Sequence, residues 1–170
     1  MITYNEAFDI NHTLYRILLL LNQMEQDSVE YERVRIWDFY MAFPYEIENI
    51  RFGVKPEDRQ IKKLFPKKNN PYKKIINPRK LFERMSPYQL SAFNKLASYG
   101  IIDKSFHLTG RINIVDRGKL KLILEDMDIS LENRENNVLK ILTTYFYHMD
   151  FYGNNGLKAR TSLSEFKYDE

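Results

Sequence analysis

The chain contains no cysteine. That absence removes disulfide frameworks, thiolate nucleophiles and thiolate metal sites together, and it fits a reducing cytoplasm. Glycine is sparse, at six of 170 residues, and none precedes Lys-Ser or Lys-Thr at the spacing of a phosphate-binding loop. Long apolar runs are also missing. The longest, Ile17 to Leu21, sits between Arg16 and Asn22 and is far too short to span a bilayer. Residues 1–10 carry Glu6 and Asp9 and lack a basic start, so no secretory leader is expected. These absences predict a soluble cytoplasmic protein with no membrane partner and no cofactor.

What is present is apolar and aromatic. Fractions of 44% hydrophobic and 14% aromatic residues exclude general disorder and suffice for one folded domain. The net charge of +3 is unevenly placed. Between Arg51 and Arg84, twelve Lys and Arg face three acids, while the rest of the chain holds fourteen basic and twenty acidic residues. Such asymmetry points to a polyanion or an acidic protein surface as partner. Its densest part is the paired lysines Lys62-Lys63, Lys67-Lys68 and Lys73-Lys74, interrupted by Pro66 and Pro71. These six are candidate contacts for nucleic-acid phosphates or an acidic partner, with a plain solubilising loop as the competing reading. The expected organisation is a single domain over residues 1–153, a basic proline-punctuated insertion at about 51–77, and a polar tail, 154–170, that frays or docks.

The stretch Arg33-Val34-Arg35-Ile36-Trp37-Asp38-Phe39-Tyr40-Met41-Ala42-Phe43-Pro44 organises the rest. Apolar residues run more than halfway round this helix, so it is packed on two sides, and Pro44 stops it. Burying Asp38 between Trp37 and Phe39 is costly without a cation, and Arg35, three residues back, is the nearest one. Arg35, Trp37 and Asp38 are therefore candidate structural residues, or an edge offered to a partner protein. Before them, Asp9 or Asn11 caps a first helix through about Gln26. Asp27 and Glu30 have capping-box spacing for the second.

Further on, a short helix is expected near Glu57–Leu64. Asn77-Pro78 starts another helix, and Ser86-Pro87 repeats the pattern for a separate one ending at Gly100. Leu96-Ala97-Ser98-Tyr99-Gly100-Ile101-Ile102-Asp103 resembles the passage from the third helix of a winged-helix domain into its hairpin. Phe106–Leu108 and Arg111–Val115 would form that hairpin around Thr109-Gly110. A short helix follows Gly118, and Ser130 caps a long last one to about Tyr152. The expected fold is mainly α with a small β-hairpin, winged-helix-like with added helices.

No catalytic constellation emerges. His12, His107 and His148 are isolated in sequence, with no second His or carboxylate at metal-ligand spacing. Glu125, Asp126 and Asp128 read as a solvated helix end, and Ser86, Ser91 and Ser130 as caps or helix surface. The expected recognition helix, Pro87 to Tyr99, exposes Tyr88, Gln89, Ser91, Asn94, Lys95 and Ser98, of which one is basic. That is poor equipment for reading base edges.

The segments Arg33-x-Arg35-Ile36-Trp37-Asp38-Phe39-Tyr40-x-x-Phe43-Pro44, Leu81-Phe82-Glu83-Arg84-Met85 and Leu96-Ala97-x-x-Gly100-Ile101-Ile102-Asp103 resemble a known family. It is the middle component of bacterial ABC-three-component systems, the anti-phage systems of Lamassu type. The likeness covers roughly Asp9 to Asp103 and carries no catalytic residue. It implies a non-catalytic adaptor beside an SMC- or Rad50-like ATPase and a separate effector, often a nuclease, with DNA contacted within the complex. The alternative, from another class, is a winged-helix DNA-binding transcriptional regulator.

Overall fold

Helix α1 (Ile10–Gln23) begins at Asp9, whose carboxylate accepts the His12 backbone N–H at 3.0 Å. The computed structural model to which it belongs describes residues 4–53, 55–65, 75–127, 131 and 133–165. Ile17, Leu18, Leu20 and Leu21 are buried, and α1 packs against α2 (Tyr31–Ala42), α4 (Pro78–Ser98), α6 (Arg117–Asp126) and α7 (Asn133–Lys140). It is the axis of a mainly helical fold.

The second helix is shorter at its start than its cap signal implied. Ser28–Glu30 forms strand β1, and the Glu30 carboxylate binds the Arg33 guanidinium at 2.7 Å. Burying Val29 against Ile112 wins over the capping box. Helix α2 then runs to Ala42, and Pro44 opens a 3-10 turn, Pro44–Asn49, as its missing N–H requires. Helix α3 (Pro56–Lys62) begins with the Lys55 N–H bonded to the Asp58 carboxylate at 3.2 Å.

Two helices expected around Ser86 are one. Asn77 caps α4 through the Lys80 N–H at 3.0 Å, and the helix passes through Pro87 without a break. Pro87 faces solvent, while Phe82, Met85, Gln89 and Phe93 share the buried side. Continuous packing of that side outweighs the lost backbone bond. The far end follows its glycine signal. Gly100 takes φ +72°, with its N–H on the Ala97 carbonyl and the Ile101 N–H on that of Leu96, both at 3.0 Å.

The antiparallel sheet is small, as expected, but its strands are distributed differently. Phe106–Thr109 is a helical turn, α5, because Phe106 turns into the core and Gly110, at φ +66°, closes the turn behind it. Strand β2 (Arg111–Asn113) pairs instead with β1, in the register Ser28↔Asn113, Val29↔Ile112 and Glu30↔Arg111. Ile102 bridges to Ile114 on the other side. Helix α6 is capped by Asp116 through the Lys119 N–H.

The long last helix is cut short. After α7 the chain widens into a π-turn, Ile141–Tyr145, where the Thr143 and Thr144 hydroxyls bond the Leu139 and Lys140 carbonyls at 2.8 and 2.5 Å. Ser130, its expected cap, lies outside the described residues. Past Gly153 the chain docks: helix α8 (Leu157–Thr161) buries Leu157, Leu163 is buried after it, and the Arg51 N–H bonds the Arg160 carbonyl.

Trp37 is fully buried in this core, with its ring 6.2 Å from that of Tyr147, and its indole N–H meets no acceptor among the described residues. Trp37→Ala is expected to lower stability by about 3–5 kcal/mol, the usual loss on emptying a large aromatic site. Urea unfolding measures it, and an unchanged midpoint would contradict the placement.

Candidate functional site

Arg33, Arg35 and Asp38 of α2 each bond to side chains or carbonyls of other elements. Asp38 is fully buried. Its carboxylate accepts Arg16 Nε at 2.6 Å and Nη2 at 3.4 Å from α1, and Gln89 Nε2 at 2.9 Å from α4. Arg16 also donates to Thr13 Oγ1 and to the Glu6 carbonyl, both at 3.1 Å. The pair expected between Arg35 and Asp38 is therefore not formed. Arg35 binds Glu32 at 2.7 Å and Gln89 Oε1 at 2.9 Å, and its guanidinium lies 4.7 Å from the Phe82 ring centroid. Three residues apart on one helix, Arg35 and Asp38 share Gln89 but find separate ionic partners, Glu32 and Arg16. A guanidinium from another helix meets the buried carboxylate with two nitrogens.

Arg33 does the third job. It donates to the Phe146 carbonyl, to the Met149 carbonyl at 2.9 Å and to Glu30, with its guanidinium 5.1 Å from the Phe151 ring centroid. The seams α1–α2, α2–α4 and α2 to the 146–151 segment thus each carry a guanidinium. Sequence reading placed Arg33 on α2 but had no signal for its target, more than a hundred residues away. It also counted Gln89 as exposed, whereas Gln89 is buried and holds Asp38 and the Arg35 carbonyl.

Of the six candidate lysines, Lys62 ends α3 and Lys63 follows it, both exposed, with Lys62 Nζ 5.6 Å from the Phe52 ring centroid. Lys67, Lys68, Lys73 and Lys74 lie outside the described residues. Helix α3 is fastened to the body by a hydrogen bond from the Tyr145 hydroxyl to the Asp58 carboxylate. Burial, then that bond, pushes the Tyr145 hydroxyl up to about 12. The π-turn is what brings Tyr145 into reach.

The histidines stay apart. His12 is 3.9 Å from Glu6, His107 Nε2 lies 2.9 Å from Asn94 Oδ1, and the His148 ring sits edge-on to Tyr147. Among the described residues, no cluster of three or more His, Cys, Asp or Glu side chains could hold a metal ion. No helix among them is long and apolar enough to cross a membrane.

Fold and side-chain chemistry define a small helical scaffold braced by internal arginine bonding. The family model for the ABC-three component (ABC-3C) system Middle Component 5 matches residues 2–169, and the chain belongs to that family. Membership supports an adaptor role in a defence system, alongside the system's other components. No curated protein and no solved structure matches the chain significantly.

Two predictions follow from the bonding. Asp38→Ala strands Arg16 in the interior and is expected to cost about 3–5 kcal/mol, and Arg16→Met with Asp38→Leu should cost less than the two single changes added together. Urea unfolding of the three variants measures the coupling, and strict additivity would contradict it.

Glu30 supplies the pH test. Burial alone would raise its carboxyl, but the hydrogen bond and charge of Arg33 outweigh it and hold the group below its ordinary 4.5. A depressed carboxyl contributes stability above its unfolded value and loses it as pH falls through the folded one. Glu30→Gln should therefore flatten the acid-side fall in the urea midpoint while lowering the neutral value. A parallel shift at every pH would contradict this.

Proposed function

We propose that this chain is the non-catalytic adaptor of a Lamassu-type anti-phage complex in bacteria, joining an SMC- or Rad50-like ATPase to a separate effector such as a nuclease. The observation that carries the reading is the use made of polar side chains on α2. Arg33, Arg35 and Asp38 brace neighbouring helices, and with Trp37 they act as anchors of a rigid body rather than as reactive groups. Rigidity suits a part that fixes the spacing of two others.

The framework reads as winged-helix-like. In chain order it has α1, β1, α2, α4, then Ile102 and β2, with Ile102 and β1 on either side of the 111–114 segment. The C-terminal half of α4 would be its recognition helix. Gln89 and Asn94, the residues there suited to an adenine edge, are both engaged, Gln89 by Asp38 and Asn94 by His107, which counts against a sequence-reading regulator.

The lysines on and after α3 then serve the assembled complex, as a sequence-independent contact to the DNA backbone. Changing Lys62, Lys63, Lys67, Lys68, Lys73 and Lys74 to Glu should weaken DNA binding by the complex at least about tenfold, with a shallower salt dependence. The ATPase should remain bound in a pull-down. Loss of the ATPase with DNA affinity intact would show instead that these lysines dock on an acidic protein surface.

A further inference from the structure

Very little of α3 is covered by the rest of the chain. From Lys55 to Phe65, Asp58 alone is buried; Ile61 and Phe65 are half-buried against the core, and the other residues are exposed. A buried polar side chain therefore does for α3 what apolar faces do for α1, α2 and α4. Beyond the Lys55 N–H at 3.2 Å, which starts its own helix, the Asp58 carboxylate has one partner among the described residues, the Tyr145 hydroxyl. Burial and then that bond raise the hydroxyl to about 12, so it is a donor at neutral pH. Asp38, by contrast, is held by a guanidinium and an amide from two other helices.

The chain just before α3 is pinned. The Arg51 N–H bonds the Arg160 carbonyl at 3.0 Å, and Arg160 Nη1 bonds the Arg51 carbonyl at 3.4 Å. The Phe52 ring lies 6.4 Å from that of Tyr145 and 5.9 Å from that of Phe146. Phe65 and the Lys62 ammonium reach back to the same ring, at 5.0 and 5.6 Å. Gly53, next after Phe52, leaves room for the clasp, because a Cβ there would come within 2.5 Å of Asp58 Oδ2.

We infer that α3 is a releasable element, held on the braced body by the Tyr145–Asp58 clasp that Gly53 makes room for. Opening the clasp detaches α3 beyond the pinned Phe52 while α1, α2 and α4 stay packed. Few apolar contacts oppose the opening, which is the condition for a locally unstable unit on a stable core. Lys62 and Lys63 then have two states, one against the body beside Phe52 and one free of it. The device operates whether those lysines meet DNA or an acidic protein surface.

Hydrogen exchange of the full chain tests it. A seven-residue helix does not persist without support, so detachment reads out as lost protection of the α3 amides, Arg59 to Leu64. In the wild-type chain these should exchange at least about tenfold faster than the buried amides of α1, α2 and α4. Tyr145→Phe removes the hydroxyl and keeps the ring, and should speed α3 exchange by about a further tenfold, the worth of one hydrogen bond to a carboxylate. Gly53→Ala should do the same with Tyr145 intact, by displacing Asp58. Exchange in α1, α2 and α4 should move in neither variant. Wild-type α3 amides that keep pace with those three helices would overturn the inference, as would unchanged α3 exchange in either variant. Core exchange that rose in step with α3 would also overturn it, because the bond would then belong to global stability.

Discussion

Asp38 is fully buried, and its carboxylate is satisfied where Arg16 and Gln89 reach it from two other helices. That requirement fixes how α1, α2 and α4 cross. A buried carboxylate short of its partners costs several kcal/mol, so packings that rotate α2 away from either neighbour are strongly disfavoured. Apolar packing alone would leave more freedom, because hydrophobic attraction has no preferred direction. Arg33 and Arg35 extend the same directional control to the 146–151 segment and to α4, and the aromatic residues of α2 fill the space between.

The parts of this fold that were legible in the sequence are those set by neighbours a few residues apart. The Asp9 cap, the Pro44 stop, the Asn77-Pro78 start and the Gly100 turn are each local transactions between a side chain and its own backbone. The illegible parts join distant residues. Arg35 looked like the partner of Asp38 because three residues separate them, yet Arg16, 22 positions away, holds that place. Ser86-Pro87 carries a true helix-start pattern that the buried side of α4 overrides. The small antiparallel pair is present as expected, but β2 finds its partner more than eighty residues earlier, and Phe106–Thr109 is helical. The candidate site was legible in part: the lysine pairs and the charged residues of α2 were visible, whereas Gln89, which holds Asp38 from α4, was counted as exposed.

The few buried ionic groups, Arg16, Arg33 and Asp38 among them, join one element to another, and membership in the middle-component family supports an adaptor role in a defence system. Helices held at fixed crossings keep the surfaces they carry at fixed spacings.

The adaptor role is tested most directly by leaving the chain out. The ATPase and effector of the same system would be co-expressed with and without it, and the mass of the resulting complexes measured in solution. An adaptor predicts one complex containing all three components when the chain is present, and separate ATPase and effector when it is omitted. An ATPase–effector complex that forms equally well without the chain would contradict it.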